Sequence, residues 1–301
     1  MNPAGTLALK LVLTPVLVGG ASLASRRWGS AVGGWLIGIP FTSGPVALFL
    51  ALDPGPRFAA TAAAGIMAGT ASQAAFCLAY AWTAQARGWA LSLAAASAAF
   101  GLVTIVLRPV ALPRPVFFVA MLAVLAVSLP TMPRVMPRPN ATVQFHGGGG
   151  PPPWSPHRDT RRMEAFGGPR WVTAGVNPAY SRHPSQFPRW DIPARMIVAT
   201  VFVIVLTTAA PLLGARLAGL LAPFPLYASV LATFAHRLEG TDGAVAVLRG
   251  LLLGLFAFAA FFFVLAELLE TSIAVAFLGA ICVALAMQAV SLFVGRRLGL
   301  A

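Results

Sequence analysis

The stretch "WLIGIPFTSGPVALFLAL", residues 35–52, contains no charged side chain, yet it includes two glycines and two prolines. An uncharged run of this length predicts a helix that crosses a bilayer. Proline inside a helix removes a backbone hydrogen bond and crowds the carbonyl of the preceding turn. A freed carbonyl is costly in hydrocarbon, so broken backbone at this depth occurs where protein or a wet cavity covers it. The stretch therefore predicts a membrane helix that is interrupted at its glycines and prolines.

The composition of the whole chain is that of an integral membrane protein. Of its 301 residues 58% are hydrophobic and only 10% are charged, with a mean hydropathy of +0.81. Soluble domains carry about 25% charged residues. The net charge of +13 comes almost entirely from arginine, since Lys10 is the only lysine. Cationic loops beside a bilayer explain this charge, so no nucleic-acid partner is predicted.

Nine apolar runs are long enough to span a bilayer as helices. They are too long and too uniformly apolar for the alternating strands of a membrane barrel. The predicted spans are residues 5–25, 30–52, 57–82, 88–107, 115–131, 194–212, 215–236, 243–266 and 271–295. Between the fifth and sixth spans, residues 132–192 form a loop rich in Pro, Gly and Arg, which we expect to be mostly disordered.

The chain repeats itself at an offset of 185 residues without a gap. Of the 53 positions from 29 to 81, 14 meet an identical residue, and the shared glycines and proline are the informative ones in so apolar a chain. Gly29, Gly34, Pro40, Gly55, Gly65 and Gly69 fall on Gly214, Gly219, Pro225, Gly240, Gly250 and Gly254. The repeat predicts two four-helix units, residues 5–108 and 193–296, joined by a linking helix at 115–131.

An odd number of spans before the second unit makes it enter the membrane from the opposite side. The predicted fold is therefore an all-α integral membrane protein of about nine transmembrane helices in two inverted four-helix repeats. Low lysine with abundant Ala, Arg and Pro suggests a bacterial, GC-rich origin, so the expected location is the bacterial inner membrane. The arginines in short loops favour, by a small margin, an N-terminus outside and a C-terminus inside.

The second unit carries its own interruption, "APFPLYAS" at residues 222–229, with Pro225 at the position equivalent to Pro40. Matched Gly/Pro interruptions in two halves are the best sequence indication of a transporter's central site. The candidate substrate pathway comprises Gly38, Pro40, Thr42, Ser43, Pro45, Gln73, Pro223, Pro225, Tyr227 and Ser229. The alternative is that the prolines merely kink buried helices, with Ser and Thr hydroxyls bonding back to the freed carbonyls.

Paired GxxxG patterns predict close helix packing. Gly65 and Gly69 in one unit match Gly250 and Gly254 in the other, and glycine lets helix backbones approach closely. Gln73 shares a helical face with Gly69, which suggests a role either in interhelical hydrogen bonding or in the pathway.

Charged residues are predicted to lie near the ends of the spans. No acidic residue lies at mid-depth, which argues against a carboxylate proton relay. The repeat pair Lys10 and Arg195 begin their spans, and we expect both to extend toward the membrane surface, with a gating role as the alternative.

No catalytic, metal-binding or phosphate-binding motif is present, so the sequence predicts no enzyme, metal or cofactor. Cys77 and Cys282 lie in apolar runs and are interpreted as packing residues.

In architecture the chain resembles the drug/metabolite transporter superfamily, whose members duplicate a four-helix unit. The resemblance implies transport, but small multidrug transporters carry a carboxylate in their first helix, where this chain has Lys10. The stretch "RRWGSAVGGWLIGIPFTSGPVALFLAL", residues 26–52, is also similar to bacterial polytopic membrane proteins without an assigned function.

The sequence thus favours a transporter or permease for a small solute, with its site at the broken second and seventh spans. The alternative is a structural or accessory membrane protein that binds a partner through the Arg-rich loop. The expected partners are the lipid bilayer and a small solute, and self-association is left open.

Overall fold

A computed structural model describes residues 3–28, 40, 42–133 and 191–297. These residues belong to one compact unit that comprises Met1–Val135 and Pro188–Ala301. The other unit, Met136–Phe187, covers most of the predicted loop and lies outside the described residues.

All regular structure in the described residues is helical. The helices are α1 (Pro3–Trp28), α2 (Ser43–Leu52), α3 (Pro56–Thr83), α4 (Trp89–Leu107), α5 (Arg114–Thr131), α6 (Asp191–Leu213), α7 (Ala215–Leu221), α8 (Leu226–Leu238), α9 (Thr241–Leu268) and α10 (Ile273–Arg297). The expectation of an all-helical membrane protein is confirmed, because several of these helices are apolar over a length that can cross a bilayer.

Seven helical segments of the described chain meet the length and hydropathy of a membrane span, with α7 and α8 together counting as one. Two further apolar stretches, Leu7–Gly20 and Ser43–Leu52, are shorter. They correspond to the first two of the nine predicted spans. The fold is therefore a multi-pass helical bundle with seven spans of full length among the described residues.

Helices α3 and α9 form the centre of the bundle. Each has 28 residues, and most of their side chains are buried. The surrounding helices α1, α4, α5, α6 and α10 turn large apolar side chains outward, including Val12, Ile105, Val119, Ile197 and Leu278. Lipid tails are as apolar as these side chains, so such an exterior suits a bilayer.

Hydrogen bonds fix which helix ends lie together at one edge of the bundle. The hydroxyl of Thr241, at the start of α9, donates to the carbonyl of Ala84, just after α3, at 3.0 Å. The indole of Trp82 donates to the carbonyl of Thr131, the last residue of α5, at 3.1 Å. Thus α3 and α5 end where α9 begins, and we call this edge the Ala84 end.

The opposite edge, which we call the Ala266 end, shows the reverse arrangement. Arg114, at the start of α5, donates to the carbonyl of Ala266 near the end of α9, at 2.8 Å. Arg216, in the first turn of α7, donates to the carbonyl of Leu107, the last residue of α4, at 3.4 Å. Helices α3 and α9 are therefore antiparallel, and α5 runs from the Ala266 end to the Ala84 end.

Tight turns join the short helices to the central ones. Gly55 precedes α3 with φ +110°, and Gly240 precedes α9 with φ +82°. Glycine adopts positive φ without the steric cost that a Cβ imposes. The turns let α2 and α8 fold back against the helices that follow them.

Candidate functional site

A sharp turn separates α7 from α8 in the second half of the chain. Pro225 has φ −81° and ψ 57°, and the backbone N–H of Leu226 donates to the carbonyl of Phe224 at 2.8 Å. This is an inverse γ-turn centred on proline, which has no N–H to leave unpaired. The second interruption is thus a defined turn between two half-helices rather than a shallow kink.

The described part of the first interruption contains a backbone hydrogen bond that matches one in the second interruption. The backbone N–H of Gly44 donates to Pro40 O at 2.8 Å, and that of Ser229 donates to Pro225 O at 2.7 Å. These donors and acceptors are related by the 185-residue offset. The predicted pathway residue Gly38 lies outside the described residues, whereas Pro40, Thr42, Ser43 and Pro45 lie within them.

The two interruptions contact each other. The hydroxyl of Ser43, the first residue of α2, donates to the carbonyl of Ala222, just after α7, at 3.0 Å. Both residues are buried, and 179 positions separate them in the chain. The bond satisfies a carbonyl at the end of α7 with a hydroxyl from the other half of the protein. The broken segments of the two halves therefore meet inside the bundle.

Glycines of α3 allow α7 to pack against it at backbone distance. A Cβ at Gly65 would lie 2.7 Å from Arg216 O, and a Cβ at Gly69 would lie 2.3 Å from Pro223 Cγ. On the other side, a Cβ at Gly219 would lie 2.2 Å from Ala62 O. Only glycine fits at this contact, and Pro223 is consequently packed rather than exposed to a cavity. Gly250 and Gly254 are buried in α9.

Farther along the same face of α3, aromatic side chains hold the second interruption in place. The ring of Phe224 lies edge-on to Phe76 and Phe100, at centroid distances of 6.5 and 5.2 Å. Gln73 lies one turn before Phe76 and is only 6% exposed. Its Oε1 atom is buried and has no hydrogen-bond partner among the described residues. Gln73 is therefore turned into the bundle beside the broken helix.

Arg195 lies inside the protein, which corrects the expectation that it extends to the membrane surface. It sits one turn into α6, is 6% exposed, and its guanidinium carbon lies 5.0 Å from the ring centre of Tyr227. Tyr227 belongs to the first turn of α8, next to the interruption. The arginine side chain thus reaches inward, and the aromatic face offsets part of the cost of burying its charge.

Lys10 requires the same correction. It is 8% exposed, and its Nζ atom lies 5.5 Å from the ring centre of Phe49 in α2. Its repeat mate is Arg195, and the mate of Phe49 is Phe234 in α8. Each half of the chain therefore buries one cation against an aromatic residue of its own half-helix. A buried ionisable residue in a membrane protein is expensive and usually functional.

A cavity of about 240 Å³ lies beside Arg195. Its polar lining comes from both halves of the chain, with Thr42 from the first and with Arg195 and Tyr227 from the second. The remaining lining residues are apolar: Val18, Ala194, Val198, Ala199, Leu226, Val230 and Phe234. The hydroxyl oxygen of Tyr227 is buried without a hydrogen-bond partner among the described residues. We call this space the Arg195 cavity.

The other described pathway residues are not among those that line this cavity. Pro40 and Pro45 line a separate apolar groove of about 340 Å³ between α1, α2, α9 and α10. Ser229 donates its hydroxyl to Pro225 O at 2.7 Å, the back-bonding that the kink alternative expects. Of the ten predicted residues, the structure brings Thr42 and Tyr227 into one cavity and Ser43 into contact with the second interruption.

The sequence interpretation did not include Lys10, Phe49, Arg195 or Phe234 in the site. A usable signal was present, because a basic residue and a phenylalanine recur together at the repeat offset. In each half the two residues belong to different helices; the fold brings Lys10 over Phe49 and places Arg195 and Phe234 in the lining of one cavity.

Among the described residues, no three His, Cys, Asp or Glu side chains cluster closely enough to hold a metal ion. Searches against family models, curated proteins and solved structures found no match for this chain.

Proposed function

We propose that this protein is a transporter for a small solute, built from two inverted four-helix repeats with nine membrane spans. The central site lies where the broken helices of the two units meet. In this proposal the apolar stretch Leu7–Gly20 of α1 and the helix α2 belong to the first two spans.

Helix boundaries support the repeat. Pro56–Thr83 and Thr241–Leu268 are offset by 185 residues at both ends, as are the ends of α1 and α6 at Trp28 and Leu213. The turn glycines Gly55 and Gly240, with positive φ, obey the same offset. Sequence identity and local geometry thus favour one duplicated unit.

Helix directions support the inversion. Helix α3 runs from the Ala266 end to the Ala84 end, and its repeat mate α9 runs the other way. Helix α5 contacts α9 near both ends, through Arg114 at the Ala266 end and through the bond from Arg249 to Pro133 O, 3.0 Å, toward the Ala84 end. A linking helix that crosses once is what an inverted repeat requires.

The observation that carries the transport proposal is the Arg195 cavity. It combines Thr42 with Tyr227, two repeat-equivalent positions, at the junction of the broken helices. The half-helices α2 and α8 begin at this junction and run toward opposite ends, so the positive ends of both helix dipoles face the centre. Rocking of one unit against the other would then expose the site alternately to each side.

The proposed location is the bacterial inner membrane, with the N-terminus outside and the C-terminus inside. Helix α1 leads to the Ala84 end, where Arg87 and Arg237 lie in or beside short turns. Seven arginines near the Ala84 end, against Lys10 and four arginines near the Ala266 end, favour by a small margin a cytoplasmic Ala84 end.

Cysteine accessibility tests the proposal. Single cysteines at Thr42 and Tyr227, in a background with Cys77→Ala and Cys282→Ser, should react with a charged, membrane-impermeant methanethiosulfonate reagent. Ala228, which is fully buried next to Tyr227, is the matched control and should stay unlabelled as cysteine. Protection of Thr42 and Tyr227 from both sides of the membrane would contradict a pathway and favour the accessory role.

A further inference from the structure

We propose that a second cavity, at the Ala266 end, binds one anionic phospholipid, with the lipid phosphate at Arg216 and part of one acyl chain against the apolar wall. This cavity shares no lining residue with the Arg195 cavity, and lipid binding there does not depend on transport. It requires only that the helical bundle lies in a bilayer, which the length and hydropathy of the helices support.

The cavity at the Ala266 end opens toward the outer surface of the bundle. Its walls come from α3, from the turn between α4 and α5, and from the first turns of α5 and α7. Its volume of about 140 Å³ far exceeds the roughly 15 Å³ that one water needs. Leu112 lines it and is 48% exposed, so the opening lies on the side that lipid covers in a bilayer.

The lining of this cavity changes from charged to apolar with depth. Helices α3, α5 and α7 all begin at the Ala266 end, so their first residues lie nearest the membrane surface. Arg114 and Arg216 belong to the first turns of α5 and α7, whereas Met67 and Ala68 lie three turns into α3. Phe117, one turn after Arg114, is buried. A phospholipid has the same order, with its phosphate at the interface and its acyl chains below.

Arg216 has donors available for a phosphate. Its Nη2 atom donates to Leu107 O at 3.4 Å, and the same carbonyl accepts from the backbone N–H of Val110, which lines the cavity. The guanidinium therefore lies beside the cavity. It has no ion-pair partner among the described residues. Since a guanidinium has five donors in a planar fork, several remain for two phosphate oxygens.

The charges around Arg216 leave this site positive. Arg114 lies 3.9 Å from Glu267 and 3.8 Å from Glu270, and Arg57 lies 3.6 Å from Glu270. Three arginines, including Arg216, thus stand against two carboxylates. No acidic side chain of the described residues lines the cavity. A zwitterionic lipid would bring its own ammonium group to these arginines, whereas an anionic lipid supplies the missing negative charge.

The test uses the full chain in dodecyl maltoside micelles. The probes are phosphatidylglycerol and phosphatidylcholine with identical acyl chains, added in equal amounts, and native mass spectrometry counts the lipids that stay bound to each protein. The first bound lipid should be phosphatidylglycerol by about fivefold or more, which is the effect of one arginine near a membrane surface.

Three variants separate the site from general effects of charge. Arg216→Gln should bind the two lipids about equally, whereas Arg216→Lys should retain part of the preference, because it keeps the charge without the fork. Arg87→Gln removes an exposed arginine from the Ala84 end and should leave the preference unchanged. Size-exclusion profiles and thermal unfolding of every variant establish that each one is folded.

Glycerol 3-phosphate distinguishes a lipid site from a site for a dissolved phosphate. It carries the phosphate without acyl chains, so it should not displace phosphatidylglycerol from the natural chain. Displacement would mean that the apolar wall contributes nothing, and would overturn the assignment to a lipid.

Equal binding of the two lipids by the natural chain would overturn the site without the need for any variant. A folded Arg216→Gln that keeps the full preference would overturn it as well. Loss of the preference to the same extent in Arg87→Gln would show an effect of net charge alone, and complete loss in Arg216→Lys would show a structural effect. Either result would contradict a phosphate bound at Arg216.

Discussion

At Gly219 a single methyl group decides how closely α7 can lie against α3. A Cβ there would lie 2.2 Å from the carbonyl oxygen and 3.0 Å from the Cα atom of Ala62, both of which are backbone atoms that cannot rotate away. We expect Gly219→Ala to lower the free energy of unfolding by about 1–3 kcal/mol. Thermal unfolding in detergent, followed by tryptophan fluorescence, measures the change.

The matched control for Gly219 is Gly101 in α4. A Cβ there would meet nothing within 4 Å, so Gly101→Ala should be neutral or stabilising by up to about 1 kcal/mol. Equal losses of stability in the two variants would contradict the close approach of α3 and α7.

A second prediction at this scale concerns the hydroxyl of Ser43. Ser43→Ala leaves the buried carbonyl of Ala222 without this donor, which should cost about 1–3 kcal/mol. Ser92→Ala is the control, because its hydroxyl bonds within its own turn to Gly88 O, which also accepts from the Ser92 N–H. The control should cost less than about 0.5 kcal/mol. A Ser43 variant as stable as the Ser92 variant would show that the interruptions are not held together there.

Arg195 illustrates what the sequence could not reveal at the scale of one residue. One arginine in the first turn of an apolar run is consistent with a side chain that reaches the membrane surface. Its inward direction depends on Tyr227, a residue of another helix 32 positions away. The hydropathy of one segment contains no information about that contact.

Among the helices, α5 is docked to α9 by Arg114. Its Nη1 atom donates to Ala266 O at 2.8 Å, whereas its nearest approaches to Glu267 and Glu270 are 3.9 and 3.8 Å. All three side chains are partly exposed, so each ion pair contributes only about 0–1 kcal/mol. We therefore expect the bond to the carbonyl to dominate.

Two variants test this ranking at the level of helix docking. Arg114→Gln should lower the unfolding free energy by about 1.5–3 kcal/mol, because a charged donor is lost from a helix C-terminus. Glu267→Gln should lower it by less than about 1 kcal/mol. Thermal unfolding at low and high salt measures both losses, and a larger loss for Glu267→Gln would contradict the ranking.

Helix positions were largely predictable, because run length and hydropathy determine them. The predicted span 57–82 lies within α3, and the span 243–266 lies within α9. The prolines at 223 and 225 also indicated where the seventh span is divided into α7 and α8. Helix α2 begins at Ser43, inside the Gly/Pro stretch for which the sequence predicted an interruption, and residues 29–39 before it lie outside the described part of the chain.

At the scale of the whole molecule, composition was sufficient to predict a multi-pass helical membrane protein. It was not sufficient to establish nine spans, because seven segments of the described chain reach full length. The inversion of the two units follows only if the linking helix crosses the membrane. The direction of α5, fixed by contacts near both of its ends, is the structural support for that step.

The turns at Ala86 and Thr271 test the inverted repeat most directly. They are repeat equivalents, both are exposed, and they follow α3 and α9 respectively. Single cysteines at the two positions, without Cys77 and Cys282, are labelled with an impermeant maleimide in intact spheroplasts and in inside-out vesicles. The inverted repeat predicts that the two cysteines react from opposite sides, and the proposed orientation places Thr271→Cys outside and Ala86→Cys inside, so that Ala86→Cys reacts only in inside-out vesicles. Labelling of both cysteines from the same side would contradict it.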